Sequence, residues 1–350
     1  MEGFLLTGAS DKSRKVLITA PLEEGWLERL QLLSPDLHIE WRSARSGRVV
    51  PDDLWQATEI LYTSFATILP SPEKAPRLRW VQLYSAGADR IVDAPLFQAP
   101  VTFTSASGVH AINMAEHLFS VVLAWFHHLP LVLEQQRQRQ WPSNAERSTL
   151  FTPEELWGKT IGIVGYGSIG RQVARLARAF GMRVLAVQRG TDHHDYGFQY
   201  PGVGDPEGVL PDRYYTPDQL HAMLRESDVV FIALPLTPQT QGLFDDAAFQ
   251  AMKSTAFLVN LARGEICNES ALLRALEEKR IAGAALDVFH QEPLPANHPL
   301  WQLPNVFITP HSAGLTPLYN ERAAMIFEEN LRRYLAGNPL YNVVDKTLGY

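Results

Sequence analysis

Three segments of this 350-residue chain carry side chains that can move a proton and bind an anion. The side chains are, in chain order, Arg263, Glu292 and His311. A histidine titrates near neutral pH, so His311 can donate a proton and recover it in the reverse reaction. Arginine presents a planar, always-charged fork that suits a carboxylate or a developing alkoxide. Taken alone, Arg263 and Glu292 could form a structural ion pair, and it is His311 in its motif that favours chemistry.

Predicted strands must bring these three side chains together. The segments are 260–265, 286–293 and 309–314, and the strand candidates before them are 255–261, 282–288 and 305–309. Residues just beyond the carboxyl ends of parallel strands line one ligand crevice. We therefore expect the three side chains to converge although they are far apart in sequence.

A glycine-rich turn between a strand and a helix predicts a dinucleotide site. The turn consists of Gly165, Tyr166, Gly167, Ser168, Ile169 and Gly170. An apolar run at 160–164 precedes it, and a helical pattern that stops at Gly181 follows it. The first glycine permits the tight turn, the second lets the backbone approach a pyrophosphate, and the third allows close packing of helix on strand. The alternative is a purely structural glycine turn.

The end of the second strand of this unit indicates which nicotinamide cofactor is used. An acid usually stands there and binds the adenosine ribose hydroxyls. In this chain the strand at 183–187 is followed by Gln188 and Arg189. A guanidinium pairs with a phosphate whereas a carboxylate repels it, so we expect NADP(H). The alternative is a solvated Arg189, with NAD(H) bound through Gln188 and backbone groups.

The composition excludes several classes of protein. A formal charge of −7 without a dominant basic stretch argues against nucleic-acid binding. A single cysteine, Cys267, excludes an internal disulfide framework and a thiolate metal cluster. His193, His194 and Asp195 lack further ligands at metal spacing, so we expect no metal. The chain shows neither a signal-peptide pattern nor an apolar run long enough to span a bilayer, and we expect a cytoplasmic protein that does not bind membranes.

Alternation of strands and helices predicts an α/β fold with doubly wound parallel sheets. The predicted strands are 15–20, 37–41, 59–63, 80–83, 101–104, 160–164, 183–187, 228–234, 255–261, 282–288 and 305–309. A long apolar helix is predicted over 113–129 and ended by Pro130, and the last helix over 318–336. We interpret residues 134–149 as a polar surface connection and residues 190–213 as an unusually long loop.

Further motifs identify the family. They are Leu-Tyr-Ser-Ala-Gly-Ala-Asp at 83–89, Ala-Glu-His at 115–117, Leu-Trp-Gly-Lys-Thr at 156–160 and Pro-Leu-Thr-Pro at 235–238. With the glycine turn and the three segments above, nearly the whole chain resembles the D-2-hydroxyacid dehydrogenase family. That family includes glyoxylate and hydroxypyruvate reductases. Two departures are mild: Asn268 stands where the family often has Asp, and the 190–213 loop is longer than usual.

The resemblance implies a role for each site residue. Glu292 would keep His311 protonated, Arg263 would bind the substrate carboxylate, and Asp287 would contact the nicotinamide amide. Backbone N–H groups at Ser85, Ala86 and Gly87 would hold the same carboxylate. Beyond the glycine turn, the implied cofactor-binding residues are Gln188, Arg189, Leu234, Pro235, Thr240, Leu261, Ala262, Arg263, Asp287, His311, Ala313 and Gly314.

The resemblance also implies two Rossmann-like domains with an active-site cleft between them. Residues 114–311 would form the NAD(P)-binding domain, and residues 1–113 with 312–350 a flavodoxin-like substrate domain. The expected reaction is NAD(P)-dependent reduction of a small 2-keto acid such as glyoxylate or hydroxypyruvate. A homodimer formed through the apolar helix is the expected assembly. Trp141 is either a surface aromatic or a wall of the neighbouring subunit's site.

Two other functions stay open on the same scaffold. One is a nucleotide-sensing binding protein that resembles the C-terminal-binding-protein corepressors. The other is a different oxidoreductase. Formate oxidation is disfavoured because formate dehydrogenases have Gln where this chain has Glu292, and phosphite oxidation is the alternative that stays.

Overall fold

A computed structural model describes residues 13–42, 50–88 and 90–349 of the chain. The chain divides into two compact units. Unit 1 combines the residues up to Val109 with those from Pro317 onward, and unit 2 spans His110–Thr316. The predicted α/β class with two parallel sheets is confirmed.

Unit 1 is built on a five-stranded parallel sheet. Its strands are β1 (Arg14–Ile18), β2 (Leu37–Trp41), β3 (Ile60–Thr63), β4 (Trp80–Leu83) and β5 (Thr102–Thr104). Its helices are α1 (Glu24–Gln31), α2 (Asp52–Ala57), α3 (Pro95–Gln98) and, from the end of the chain, α11 (Tyr319–Leu335). The strand order is β2-β1-β3-β4-β5, which is the order of flavodoxin-like sheets.

Side-chain alternation along the strands gives unit 1 two cores. Val16 and Ile18 of β1 face the core that contains Phe327 of α11, whereas Leu17 between them faces the core that contains Phe97 of α3. Successive side chains of a strand point to opposite faces, so a sheet covered on both faces needs apolar residues at every position. That requirement explains the continuous apolar runs of these strands.

Unit 2 is built on a seven-stranded parallel sheet. Its strands are β6 (Thr160–Val164), β7 (Arg183–Val187), β8 (Arg213–Tyr215), β9 (Val229–Ile232), β10 (Phe257–Asn260), β11 (Gly283–Leu286) and β12 (Val306–Ile308). Its helices are α4 (Ala111–Phe126), α5 (Leu129–Gln138), α6 (Asn144–Leu150), α7 (Ser168–Ala179), α8 (Leu220–Glu226), α9 (Asp246–Ala251) and α10 (Glu269–Glu277).

The strand order of unit 2 creates a topological switch point. The order is β12-β11-β10-β9-β6-β7-β8, so the chain builds outward from β6 first in one direction and then in the other. Helices cover both faces: α4 and α7 pack on one core, and α8, α9 and α10 on the other. In such sheets ligands bind beyond the carboxyl ends of the strands at the switch. Here that position is occupied by the glycine-rich turn, which follows β6.

The apolar helix α4 is buried within its own unit. Eight of its side chains are buried, and Trp125 stacks on Phe257 at a ring-centroid distance of 4.7 Å. Its predicted end at Pro130 is wrong. The helix ends at Phe126, His128 takes a left-handed conformation with φ 54°, and Pro130 lies in the first turn of α5. Proline is tolerated there because no N–H is needed in the first turn of a helix.

The interpretation of residues 134–149 as a connection is also corrected. The end of α5 and most of α6 lie in this stretch. Ser143 caps α6 by accepting a hydrogen bond from the N–H of Glu146 at 3.2 Å, and the Glu146 carboxylate accepts one from the N–H of Ser143 at 2.7 Å. This reciprocal capping box stabilises the first turn of α6, although the polar composition of the stretch suggested a loop.

The long loop predicted at 190–213 ends at residue 212, because a strand that the sequence did not predict begins at Arg213. Residues 188–212 contain no helix or strand, and Arg213 opens β8, a three-residue strand beside β7. Within the described ranges no single helix is long and apolar enough to cross a bilayer. Among the described helices, α4 and α5 taken together reach that length and apolarity, but they are bent by 64°.

Candidate active site

His311 and Glu292 form a hydrogen-bonded pair beyond the carboxyl ends of β11 and β12. His311 Nδ1 donates to Glu292 Oε2 at 2.6 Å. The other carboxylate oxygen of Glu292 accepts the N–H of Phe289 at 3.0 Å, which fixes the orientation of the carboxylate. Both side chains are partly exposed, with relative accessibilities of 50% and 36%. Because Nδ1 is engaged, Nε2 is the ring nitrogen left to exchange a proton with a ligand.

The loop that bears His311 is held by the buried carboxylate of Asp287. This carboxylate accepts hydrogen bonds from the Thr309 hydroxyl and from the N–H groups of Ser312 and Ala313, the latter two at 2.9 Å. His311 itself has a left-handed backbone, with φ 50°. A carboxylate has about four acceptor positions, so one remains for a further donor. The amide contact with the nicotinamide that is implied for Asp287 stays a prediction.

Helix α4 fixes the next residues of this loop, which sequence reasoning did not foresee. Asn113 Nδ2 donates to the carbonyl of Ala313 at 2.8 Å, and His110 Nδ1 donates to that of Gly314 at 3.0 Å. Both donors lie near the start of α4, next to the Ala-Glu-His motif at 115–117. The side-chain types carried no signal of these partners, which become neighbours only in the fold.

Arg263 lies on the loop after β10, and the Asn260 side chain braces that loop. Asn260 accepts from the N–H of Ala262 at 3.0 Å and donates to the Arg263 carbonyl at 2.9 Å. Arg263 is exposed, and its guanidinium donates to the Ala262 carbonyl at 2.8 Å. A Cβ at Gly264 would lie 2.2 Å from the backbone of Phe289. The Arg263 loop therefore contacts the loop that leads to Glu292.

The glycine-rich turn has the backbone shape that a pyrophosphate needs. Gly165 has φ 105°, and a Cβ there would lie 2.5 Å from the Ala233 carbonyl oxygen. At Gly170 a Cβ would lie 2.4 Å from the Gly165 oxygen, whereas a Cβ at Gly167 would meet nothing within 4 Å. Gly167 is also the N-cap of α7 and gives it no side-chain cap. The open space and the free N–H groups of the first turn fit the phosphates of a dinucleotide.

The other predicted cofactor residues lie in turns after the strands of unit 2. Leu234 follows β9 and contacts Gly165, and the hydroxyl of Thr240 donates to the Pro235 carbonyl at 2.7 Å. Leu261 is buried after β10. Their contact with a cofactor stays a prediction.

Gln188 and Arg189 follow β7, at the end where an adenosine ribose is expected. Gln188 is engaged by the long loop: its amide oxygen accepts from His193 Nδ1 at 3.1 Å, and its amide nitrogen donates to the Asp192 carbonyl at 3.4 Å. Arg189 is exposed.

The predicted carboxylate-binding loop lies in unit 1. Ser85, Ala86 and Gly87 follow β4, and the Ser85 hydroxyl donates to the Gly87 carbonyl at 2.8 Å. Asp89, the last residue of that motif, lies outside the described residues. The contribution of this loop to substrate binding stays a prediction.

The paired histidines of the long loop serve protein contacts. His193 stacks on Tyr214 at 3.5 Å between ring centroids. His194 is exposed between two carboxylates, those of Asp192 at 3.0 Å and Glu207 at 3.2 Å, and its pKa is raised, mainly by the hydrogen bond to Asp192. In the described ranges, no group of three or more His, Cys, Asp or Glu side chains could hold a metal ion.

Comparisons with known proteins identify a family that matches more than half of the chain. Residues 119–313 match the model of a family described as D-isomer specific 2-hydroxyacid dehydrogenase, NAD binding domain. The chain is similar to a glyoxylate reductase from Thermofilum pendens, with 36% identity over 274 residues that cover 78% of this chain and 77% of the relative.

Two solved structures are similar over almost their whole length. A D-isomer specific 2-hydroxyacid dehydrogenase family protein from Aeromonas salmonicida is 33% identical with a TM-score of 0.74, covering 95% of this chain and 99% of that one. A D-isomer specific 2-hydroxyacid dehydrogenase from Xanthobacter autotrophicus, in complex with NADPH and MES, is 28% identical with a TM-score of 0.74. The match covers 97% of this chain and 100% of that one.

Proposed function

The chain belongs to the D-isomer specific 2-hydroxyacid dehydrogenase family, and on that premise we propose that it reduces glyoxylate or hydroxypyruvate with NADPH. As a member, it is an NAD(P)-dependent oxidoreductase that acts on the CH–OH group of donors. The proposal adds the substrate, the preferred cofactor and the residues that carry the reaction.

The hydrogen-bonded pair of His311 and Glu292 is the observation that carries the proposal. When bound, the nicotinamide supplies a hydride to the carbonyl carbon of the substrate. His311 then donates a proton from Nε2 to the carbonyl oxygen, and it takes that proton back in the reverse direction. The carboxylate of Glu292 fixes the ring orientation through Nδ1 and stabilises the imidazolium by opposite charge.

Arg263 is proposed to bind the substrate carboxylate and the oxygen on which charge develops. Its guanidinium is always charged and offers paired donors, which suits a planar carboxylate. Support comes from its loop, which Asn260 braces and which contacts the loop of Glu292. Backbone N–H groups of the Ser85–Gly87 loop are proposed as further donors to the same carboxylate.

The preference for NADPH is proposed from the end of β7. No carboxylate is present at Gln188 or Arg189 to repel a 2′-phosphate, and a guanidinium pairs with phosphate. The similar Xanthobacter protein crystallised in complex with NADPH supports this choice. Glyoxylate is proposed because the similar Thermofilum protein is a glyoxylate reductase.

A homodimer is the proposed assembly. Much of α4 is already buried within unit 2, but apolar side chains stay exposed along the adjoining α5, namely Leu129, Val132 and Leu133. We therefore propose that the subunit contact includes α5 as well as the exposed part of α4. Trp141 is 85% exposed, which fits a surface aromatic and also a wall of the neighbouring subunit's site.

The decisive experiment measures nicotinamide oxidation with NADPH and NADH in parallel against glyoxylate, hydroxypyruvate, pyruvate and phenylpyruvate. We expect turnover that prefers NADPH and is fastest with glyoxylate or hydroxypyruvate. Tight nucleotide binding without turnover of any acid would contradict the proposal and favour a nucleotide-sensing protein or an unusual substrate such as phosphite.

The same assay tests the acid/base residue. His311→Ala removes the proposed proton donor, so kcat is expected to fall about 10²- to 10⁴-fold while NADPH still binds. His38→Ala is the matched control, since His38 is an exposed histidine of β2 in unit 1. A His311→Ala variant that turns over as fast as the control would remove His311 from the mechanism.

A further inference from the structure

The 190–212 segment is bound along one face of α7. Three arginines of α7 donate hydrogen bonds to its backbone carbonyls. They are Arg171 to Asp205 at 2.6 Å, Arg175 to Gly204 at 2.8 Å and Arg178 to Leu210 at 2.9 Å. Spacings of four and three residues place these arginines on one side of the helix. The segment is therefore fixed to the helix that begins at the glycine-rich turn.

Asp205 of this segment contacts the glycine-rich turn itself. Its side chain is buried, and one carboxylate oxygen accepts the hydroxyl of Tyr166 at 2.6 Å and the N–H of Leu210 at 2.9 Å. The other oxygen accepts the N–H of Val209 at 3.1 Å. Tyr166 is the residue between the first two glycines of the turn, and it is 4% exposed. Burial and this hydrogen bond raise the pKa of Tyr166, so the hydroxyl stays a neutral donor.

Arg171 of α7 forms a cluster with Tyr166 and Asp205. Its guanidinium lies over the Tyr166 ring at 4.8 Å and donates to the His193 carbonyl at 2.7 Å. It is 3% exposed, and its Nε lies 3.5 Å from a carboxylate oxygen of Asp195. The ring of Tyr166 thus packs against Arg171, and its hydroxyl is held by Asp205.

We propose that Asp205 is a positioning residue for cofactor binding. Through Tyr166 it holds the peptide groups of 165–170 in the conformation that receives the pyrophosphate. This inference rests on the proposed function, because it takes a nicotinamide dinucleotide as the ligand of the turn. A loop ordered before binding loses less entropy on binding, so the contact between Asp205 and Tyr166 tightens cofactor binding. By reciprocity, bound cofactor stabilises the 190–212 segment.

Tyr166→Phe is the variant that tests the contact, since it removes the hydroxyl and keeps the ring. We expect the dissociation constant of NADPH to rise about tenfold, as for the loss of a hydrogen bond to a charged group. The binding is followed by NADPH fluorescence well below the unfolding temperature. A role in folding alone would lower the unfolding temperature and leave the dissociation constant unchanged.

Two further measurements complete the test. The double variant Asp205→Ala with Tyr166→Phe is expected to weaken NADPH binding no more than Asp205→Ala alone. Both changes break the same hydrogen bond between Tyr166 and Asp205. Hydrogen exchange of peptides from 190–212 is expected to slow when NADPH binds wild type, and to slow less in Tyr166→Phe. Glu207→Gln is the control, as an exposed acid of the same segment whose carboxylate contacts His194.

The outcomes separate this inference from the proposed function. If wild type binds neither NADPH nor NADH, the proposed function fails and this inference fails with it. If wild type binds NADPH and Tyr166→Phe binds it equally well, the positioning role of Asp205 is overturned while the proposed function stands.

Discussion

At the scale of single residues, His311 depends on Asp287 more than on its neighbours in sequence. A non-glycine residue in the left-handed region costs about 1–3 kcal/mol. Hydrogen bonds to a charged group each contribute about 1.5–3 kcal/mol, and the Asp287 carboxylate accepts three from the loop around His311. These bonds hold the loop on both sides of His311, so the imidazole can be held at a backbone conformation that the local sequence alone would not choose.

Cys267 is a buried residue whose reactivity reports on folding. It is the chain's one cysteine and is 1% exposed. Burial raises the pKa of its thiol to about 12, although a weak contact from Asn260 opposes this. We expect reaction with a chromogenic disulfide reagent at pH 8 to be about 10³-fold slower in the folded than in the unfolded protein, because the thiolate is the reactive form. The labelling rate measured with and without denaturant checks this.

The burial of Cys267 also determines how the stability of the fold changes with pH. An unfolded thiol loses its proton near pH 8.5, whereas the folded one keeps it until about pH 12, so this thiol contributes stability that is lost as the pH rises through that window. Cys267→Ala provides the control for labelling with and without denaturant, since it removes the thiol that reacts. Rapid stoichiometric labelling of the folded wild type would show that the thiol is accessible.

At the scale of elements, the start of α10 depends on Asn268. Its side-chain oxygen accepts the N–H of Ala271 at 3.0 Å and so caps the helix. We expect Asn268→Ala to lower the free energy of unfolding by about 1 kcal/mol, because a first-turn N–H loses its partner. Asn268→Asp is the matched control and should retain the stability, since an acid caps equally well and favours the helix dipole. Urea unfolding of the three proteins measures the difference, and equal midpoints for Ala and Asn would rule out a capping role.

The strands were predictable because both faces of each parallel sheet are covered. Continuous apolar runs bounded by turns mark such strands, and the runs at 37–41, 80–83, 160–164 and 183–187 match the observed bounds. The candidate site was predictable for a related reason. Chemistry-bearing residues after such strands share one edge of the sheet, and His311 and Glu292 do meet there.

Elements fixed by side-chain partners could not be predicted in the same way. Strand β8 has three residues and gains its place by pairing with β7, which no local pattern encodes. The 190–212 segment is ordered by the arginines of α7, whose partners are backbone carbonyls far along the chain. The cap of α6 could have been predicted, because Ser143 and Glu146 stand at capping-box spacing in the sequence. The polar residues around them favoured the interpretation as a loop.

At the scale of the whole molecule, unit 1 is completed by the end of the chain. Helix α11 supplies Phe327, which is fully buried and stacks on Tyr62 of β3 at 4.4 Å between ring centroids. Phe327 also approaches Trp80 of β4 at 5.6 Å. Unit 2 is continuous and contains its own two cores. The stability of unit 1 thus depends on contacts between distant parts of the sequence, whereas the glycine-rich turn belongs to unit 2.

This division predicts that the two units can be destabilised separately. Phe327→Ala leaves a cavity in unit 1, so we expect its free energy of unfolding to fall by about 3–5 kcal/mol. The dissociation constant of NADPH is expected to stay within about twofold of wild type, because the proposed phosphate site lies in unit 2. Phe249→Ala is the mirror control: Phe249 is 1% exposed in a core of unit 2, and its loss should weaken unit 2 instead. Hydrogen exchange in increasing urea resolves the peptides of each unit. Equal loss of protection in both units for Phe327→Ala would mean that the chain unfolds as one cooperative body.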